Sequence, residues 1–440
     1  MFFKLLIDAL KAKNVRKKIF FTIFILFVFR IGTQITVPGI NAAALQEISS
    51  LPFLNMLSLV SGNAMSNFSV FALGVSPYIT ASIIVQLLQM DLLPKFVEWS
   101  KQGEVGRRKL NQWTRYIALV LAFIQSITIT AGFSALSSLS LTTTTLSWQT
   151  YLIIGAILTT GAMIVTWLGE QITDKGYGNG TSMIIFAGII SSLPDTIYEI
   201  YEDYFVNIDS SRLTESIVFV TLLALAVLVI IFITTYIQQA EYKIPIQYTK
   251  RAQGAPSSSY LPLKLNPAGV IPVIFAGSIT AIPTSIVQFL ANQNKTVTWL
   301  ENIQDYFDYT TVKGMIVYGL LIILFTFFYS FVQINPEKAA ENLQKSGAYI
   351  HGVRPGNGTE KYFSKLLTRL ATVGSIFLAV VALLPIVAQN TLGLTSRIGF
   401  LGTSLIIVIM TSLEGMKQLE GYLLKRKYVG FMDLTEQNIG

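Results

Sequence analysis

The chain has no cysteine and a single histidine in 440 residues. No disulfide, thiol nucleophile or thiolate metal site can be built from it, and imidazole chemistry has one residue to work with. That residue, His351, lies in a charged loop beside Gly352 and reads as a solvated loop histidine. Charge is scarce too: Asp, Glu, Lys and Arg make up 13% of the residues against 52% hydrophobic ones, and the mean hydropathy is +0.57. Such a composition excludes an ordinary water-soluble domain and indicates a polytopic membrane protein. No Asp, Glu or His falls at mid-membrane in the apolar spans. The relay of a proton-driven pump is therefore missing, as are the buried acid or nucleophile pairs of an intramembrane enzyme. The expectation is an all-α membrane protein with no catalytic residues, cofactor or metal.

Apolar runs long enough to cross a bilayer occur near 19–36, 75–93, 116–133, 151–167, 181–193, 217–236, 268–289, 313–332, 370–387 and 398–413, the fifth being the shortest. Lys4, Lys11, Lys13, Arg16, Lys17 and Lys18 precede the first run as in a signal peptide. No small-residue cleavage site follows, so a retained first helix is expected. Assigning the connections alternately to two sides puts 27 of the 32 Lys and Arg residues on the side of the N-terminus, four on the other, and Arg30 inside the first span. By the positive-inside rule both termini and the even-to-odd connections are cytoplasmic. The net charge of +8 then reflects topology first, and anionic phospholipids or an acidic partner second. Arg30 is expected to pair structurally or to snorkel.

Residues 62–89 are helical in pattern yet too polar for lipid. Gly62, Asn63, Ala64, Met65, Ser66, Asn67 and Phe68 open the stretch as a poor span. After Gly74, Val75, Ile79, Ile83 and Leu87 recur on one helical stripe, with Ser76, Thr80 and Gln86 elsewhere on the surface. One reading is a helix buried in a bundle. The other is a pathway-lining helix with a half-helix folded back before it, from Gly62 to about Phe71, since irregular backbone is tolerated where it borders a water-filled cavity.

Two cytoplasmic connections are longer than orientation requires. In 238–266, Glu241 to Tyr248 alternates like a strand, Gly254 to Ser259 reads as a turn and Tyr260 to Leu263 returns, giving a hairpin with Lys250 and Arg251 near its tip. In 335–369, Asn335, Pro336 and Glu337 make a helix start, Gly347 ends that helix, and Val353 to Thr359 forms an extended tip carrying Arg354. Both read as docking surfaces. The glycine cluster from Gly176 to Gly180 lacks a phosphate-loop ending and is better read as a turn, with Asn179 or Thr181 capping the fifth span.

Several blocks together resemble a known family. They are Gly74 to Leu88, Gly103 to Lys109, the glycine cluster through Gly188, Tyr260 to Ala276, Asn335 to Asn342, and Gly402 to Leu405. These are similar to the SecY family, the protein-conducting channels of the bacterial general secretory pathway. The resemblance covers nearly the whole chain and is weak in the external loops 134–149 and 292–311. It implies ten transmembrane helices in two pseudo-symmetric inverted halves, 1–205 and 206–440, around an hourglass pore. By motif alignment the pore ring would be Val75, Ile79, Thr181, Ile185, Ile274 and Ile407. Gly62 to Phe68 would be the plug, and Thr80, Gln125 and Ser278 a polar cluster at the lateral gate. Lys250, Arg251 and Arg354 would contact a partner. Two departures stand out: Thr181 in the ring, and His351 where the family usually has Pro.

The implied partners are the SecA ATPase or a translating ribosome, the small membrane subunits SecE and SecG, and signal-bearing polypeptides. The implied location is the bacterial cytoplasmic membrane. Accessory SecY-type export channels and secondary solute transporters remain alternatives, because broken helices and inverted halves occur in transporters as well. The charge split yields a direct test of orientation. A cysteine introduced near Ser257 in this cysteine-free chain should react with an impermeant maleimide only from the cytoplasmic side; labelling from the outside alone would invert the topology.

Overall fold

The computed structural model describes residues 10–41, 61–89, 93–136, 148–206, 213–248, 259–291, 298–308, 311–392 and 401–437. The helices are α1 (Lys13–Gly32), α2 (Ser76–Leu87), α3 (Pro94–Lys101), α4 (Gly103–Leu136), α5 (Trp148–Lys175), α6 (Gly180–Tyr201), α7 (Leu213–Gln239), α8 (Ile271–Ala291), α9 (Thr298–Phe307), α10 (Val312–Gln333), α11 (Pro336–Lys345), α12 (Asn357–Leu392) and α13 (Leu401–Gln437). Every expected span falls on one of them, and α3, α9 and α11 are short connectors. Six, namely α4, α5, α6, α7, α10 and α12, are long and apolar enough to cross a membrane among the described residues. The fifth span, which looked shortest, continues as α6 past Pro194 to Tyr201.

The exterior is what hydrocarbon requires. Leu222, Leu225, Leu228 and Phe232 on α7 and Phe20, Phe24 and Phe27 on α1 all point outward, an apolar surface that water would not tolerate. Many hydroxyl groups within the helices are satisfied by their own backbone. Thr114, Thr130, Thr159, Thr166, Thr326 and Ser330 each donate to the carbonyl four residues earlier, at 2.6–2.9 Å. This is the arrangement expected where lipid supplies no partner.

The chain divides into two compact units. The first comprises Met1–Glu202, Ser285–Val297 and Ile407–Gly440, the second Asp203–Thr284 and Thr298–Ile406. In the first unit α2 and α5 both pack on α4, and α1 lies against α5 and α6. The two ends of the chain meet there: Lys18 Nζ donates to the Tyr422 hydroxyl at 3.2 Å, over a core of Ala12, Val15 and Leu419.

In the second unit α10 packs against α12, and the two long connections join in one sheet. Strands β1 (Glu241–Tyr248) and β2 (Ser259–Lys264) form the expected antiparallel hairpin, with Ile244 opposite Leu261. A third strand, β3 (Ala348–Ile350), comes from the other connection and pairs with β1 from Ile246 to Tyr248, giving the order β2-β1-β3. Pro245, which has no N–H to donate, sits just outside the stretch that β3 pairs. One face buries Ile244, Ile246, Leu263 and Ile350 against Phe363 and Leu370 of α12. The α11 start is as read: Asn335 Oδ1 accepts from Lys338 N, with Pro336 in the first turn.

Phe363 is fully buried at the centre of this core. Replacing it with Ala should cost about 3–5 kcal/mol and loosen the platform without unravelling the spans. The expected result is faster protease cleavage within 335–369 while the apolar helices stay protected in membrane vesicles.

Candidate functional site

The site begins at the stretch preceding α2. The half-helix expected from Gly62 to Phe71 takes the form of successive tight turns. Asn67 N donates to Asn63 O at 3.1 Å with helical spacing, but Phe68 N reaches Met65 O and Ser69 N reaches Ala64 O. Gly62, Asn63 and Phe68 all have positive φ, at 66°, 63° and 42°, which breaks any continuous helix. Nor is the segment loosely packed. Met65 and Phe68 are among the most buried side chains of the chain, in a core with Val37, Ala122, Ile154, Leu158 and Ala162.

Its backbone is tied to α1 and the residues that follow it. Thr36 and Ser69 form an antiparallel bridge, with Val37 N donating to Phe68 O at 3.1 Å and Val70 N to Ile35 O at 2.9 Å. Phe71 stacks on Phe29 at 6.2 Å between ring centroids. Two glycines allow this approach. A Cβ on Gly32 would lie 1.9 Å from the Phe71 ring, and one on Gly161 of α5 would lie 1.8 Å from Val70 O. Asn63 Nδ2 donates to Asp195 on α6, and Arg30 Nη1 donates to Gly62 O at 2.7 Å. Arg30 is therefore structurally paired, with a backbone carbonyl as its acceptor.

The expected ring residues divide between the units. Val75, Ile79, Thr181, Ile185 and Ile407 lie in the first and Ile274 in the second. Val75, Ile185 and Ile407 are buried, while Ile79, Thr181 and Ile274 are half-buried. Asn179 is the residue that caps α6, accepting from Thr181 N at 3.2 Å. The Thr181 hydroxyl also donates to Asn179 Oδ1, at 2.6 Å. The glycine cluster is a turn pinned by its own amides: Tyr177 N donates to Thr22 Oγ1 at 3.1 Å, Gly178 N to Gln418, and Gly180 N to Thr173 Oγ1.

Of the expected gate polars, Thr80 on α2 and Gln125 on α4 are on helices that pack together, and Ser278 is in the other unit. Thr80 and Ser278 each donate to the carbonyl four residues back, of Ser76 at 3.1 Å and of Ile274 at 2.9 Å. Gln125 is half-buried. Arg354 is exposed between two positive-φ glycines, Gly352 and Gly356, and its carbonyl accepts from Thr359 Oγ1 at 3.1 Å. Lys250 and Arg251 lie outside the described residues.

Sequence reasoning missed the seat of the turn segment: Gly32, Gly161, Asp195 and the Thr36 to Ser69 bridge. The signal available was the pairing of Gly32 and Gly161 with the irregular stretch, but a helical glycine does not announce what it touches. It also missed β3, whose buried, exposed, buried pattern spans only three residues.

Known proteins share both sequence and fold with this chain. A family model described as SecY matches residues 69–416. The protein translocase subunit SecY of Streptococcus gordonii is 71% identical over 435 residues, covering 99% of this chain and all of that protein. The same-named subunit of Lactococcus lactis subsp. lactis is 64% identical over 434 residues, covering 98% of this chain and 99% of the other. A solved SecY structure, described as one whose plug domain stabilises the closed state of the translocation channel and maintains a membrane seal, aligns with a TM-score of 0.65 at 16% identity. It covers 92% of this chain and 91% of that one. Sec61 in the canine ribosome-channel complex aligns at 0.60 with 15% identity, again covering 92% and 91%. At such low identity the two structures establish the fold, whereas the two bacterial relatives match along nearly the full length. The chain belongs to the SecY family.

Proposed function

We propose that this chain is the protein-conducting channel of a bacterial Sec translocase, passing unfolded, signal-bearing polypeptides across the cytoplasmic membrane or sideways into lipid. The observation that carries this reading is the non-helical segment 62–75, seated on α1, α5 and α6 directly before α2. A solute transporter would need a midplane site with charges or coordinating carbonyls. Here the irregular backbone is occupied with seating itself. The 71% identical relative, named as a translocase subunit, supports the same reading.

In this reading two inverted halves, 1–205 and 206–440, hinge near the α6 to α7 connection. Val75, Ile79, Thr181, Ile185, Ile274 and Ile407 form the constriction. A ring of branched aliphatics stops ions by dewetting and deforms around a passing chain. Thr181 fits such a ring better than its hydroxyl suggests, since that group is engaged with Asn179. Residues 62–68 close the ring from outside as a plug. Thr80, Gln125 and Ser278 line the lateral exit, where interhelical hydrogen bonds of about 0.6 kcal/mol suit a gate that must open.

The sheet platform carries Lys250, Arg251 and Arg354 to the driving partner, SecA or a ribosome. SecE and SecG complete the membrane complex, and anionic phospholipids neutralise the cytoplasmic basic residues. Both termini are cytoplasmic.

Two experiments test the assignment. Ile274→Asn or Ile407→Asn should hydrate the ring and let precursors with defective signal sequences through. A closed state weakened by about 1.4 kcal/mol gives roughly tenfold more open channel, read as resting conductance in planar bilayers; deleting 62–68 should raise it as well. Unchanged leak and stringency in all three variants would displace ring and plug together. Separately, Arg354→Glu should abolish most motor-driven export from proteoliposomes while leaving resting conductance as in the parent protein. Undiminished export would remove Arg354 from the docking surface.

A further inference from the structure

We propose that Arg30 is the latch of the plug: a charge on α1 that holds the segment 62–75 in its seat and releases it when the channel opens. The inference rests on the channel reading and adds to it a residue and a means of release.

The guanidinium donates to the Gly62 carbonyl at 2.7 Å and touches Thr33 Oγ1 at 3.5 Å. Thr33 is itself fixed, fully buried and donating to Arg30 O at 2.7 Å, so the Arg30 turn is braced from within α1. Gly62 is the first residue of the irregular stretch. Its φ of 66°, followed by 63° at Asn63, turns the chain sharply. A carbonyl at such a bend has lost its helical partner, and in the membrane no water replaces it. A cation is the strongest donor available, because hydrogen bonds with one ionised member are shorter and stronger than neutral ones.

Next to it Asn63 Nδ2 donates to Asp195 on α6, and the far end of the segment is tied in the bridge between Thr36 and Ser69. Arg30 therefore holds the backbone of the leading end, where Asn63 adds a side-chain tie to α6, and the bridge holds the trailing end; Arg30 lies in the last turn of α1 and Thr36 just beyond it. Among the described residues Arg30 makes no ion pair. Its acceptors are neutral, and the residue is half-buried. A carboxylate partner would fix the segment permanently. A carbonyl can be exchanged for water once the pathway fills, without leaving two opposite charges unpaired.

The test uses the full chain in its native membrane complex. Arg30→Gln should raise resting planar-bilayer conductance about tenfold and relax signal stringency. Arg30→Lys, which keeps the charge but loses the planar fork, should fall between the two. A cysteine pair at Thr36 and Ser69 supplies a readout that a general packing role would not move. The two positions face each other across a bridge flanked by hydrogen bonds on either side, a pair type with close Cα atoms. Oxidising that pair in the Arg30→Gln background should bring the leak back down, and reductant should restore it.

A wild-type leak in both Arg30 variants, alongside a raised leak in the 62–68 deletion, overturns the latch alone. A wild-type leak in the deletion as well overturns the plug reading beneath it. A raised leak that the oxidised cysteine pair does not suppress also overturns the latch, because the leak then arises elsewhere. Should Arg30→Gln fail to accumulate, Arg30→Lys decides by itself: normal leak sinks the proposal.

Discussion

Hydrocarbon offers no hydrogen-bond partner, and nearly everything in this structure follows from that. The long apolar helices satisfy their own backbone, and side chains such as Thr159, Thr166 and Thr326 close on carbonyls four residues back. The segment before α2 cannot do so, because positive φ at Gly62, Asn63 and Phe68 breaks the helical ladder. Part of its backbone closes on itself in tight turns, and groups that those turns leave over are met from outside the segment, by Arg30, Ile35 and Val37. The seat exists because the segment is irregular, and the segment can be irregular because the seat exists.

Outside the membrane the constraint relaxes and a different economy applies. Neither long connection buries enough apolar surface to stand alone, since an isolated two-stranded hairpin is marginal in water. Pairing β3 with β1 and laying the sheet on α12 produces one core from two connections about a hundred residues apart in sequence. Arg354, exposed beyond β3, then rises from this shared core. Tyr349, donating to Gln247 Oε1 at 2.9 Å, adds a cross-strand tie on the outer face.

Much of this was legible in the residues. Hydropathy located a helix at every expected span, and the alternation from Glu241 to Tyr248 gave a hairpin in its true position, because both signals are local periodicities. The Asn335 and Asn179 caps were readable for the same reason. What could not be read was tertiary. The polar look of 62–68 suggested loose packing, yet Met65 and Phe68 are core residues; composition averaged over the stretch hid two large side chains pointing inward. Arg30 could be placed inside the first span, but its acceptor is a backbone carbonyl 32 residues away, and a carbonyl carries no sequence signature. The fifth span was the shortest by hydropathy, whereas the helix continues through Pro194 to Tyr201.

The segment 62–75 also carries a backbone cost. Left-handed backbone at a residue with a Cβ is unfavourable by roughly 1–2 kcal/mol, and the segment holds two such residues, Asn63 and Phe68. Asn accepts this conformation comparatively well, and its side chain gains Asp195 as a partner. Phe68 does not, and its strain is offset by complete burial and by the bond from Val37 N to its carbonyl. Burial of one aromatic side chain contributes about 1.5–3 kcal/mol, enough to offset the strain with little to spare. At Phe68 itself the seated backbone is thus favoured by a small difference between opposed terms, while Met65, the bridge and the Arg30 and Asn63 bonds hold the rest of the segment. In the plug role proposed above, leaving the seat would let Phe68 relax its backbone as it loses its pocket, so displacement would cost about 1–2 kcal/mol less than the buried area alone would indicate.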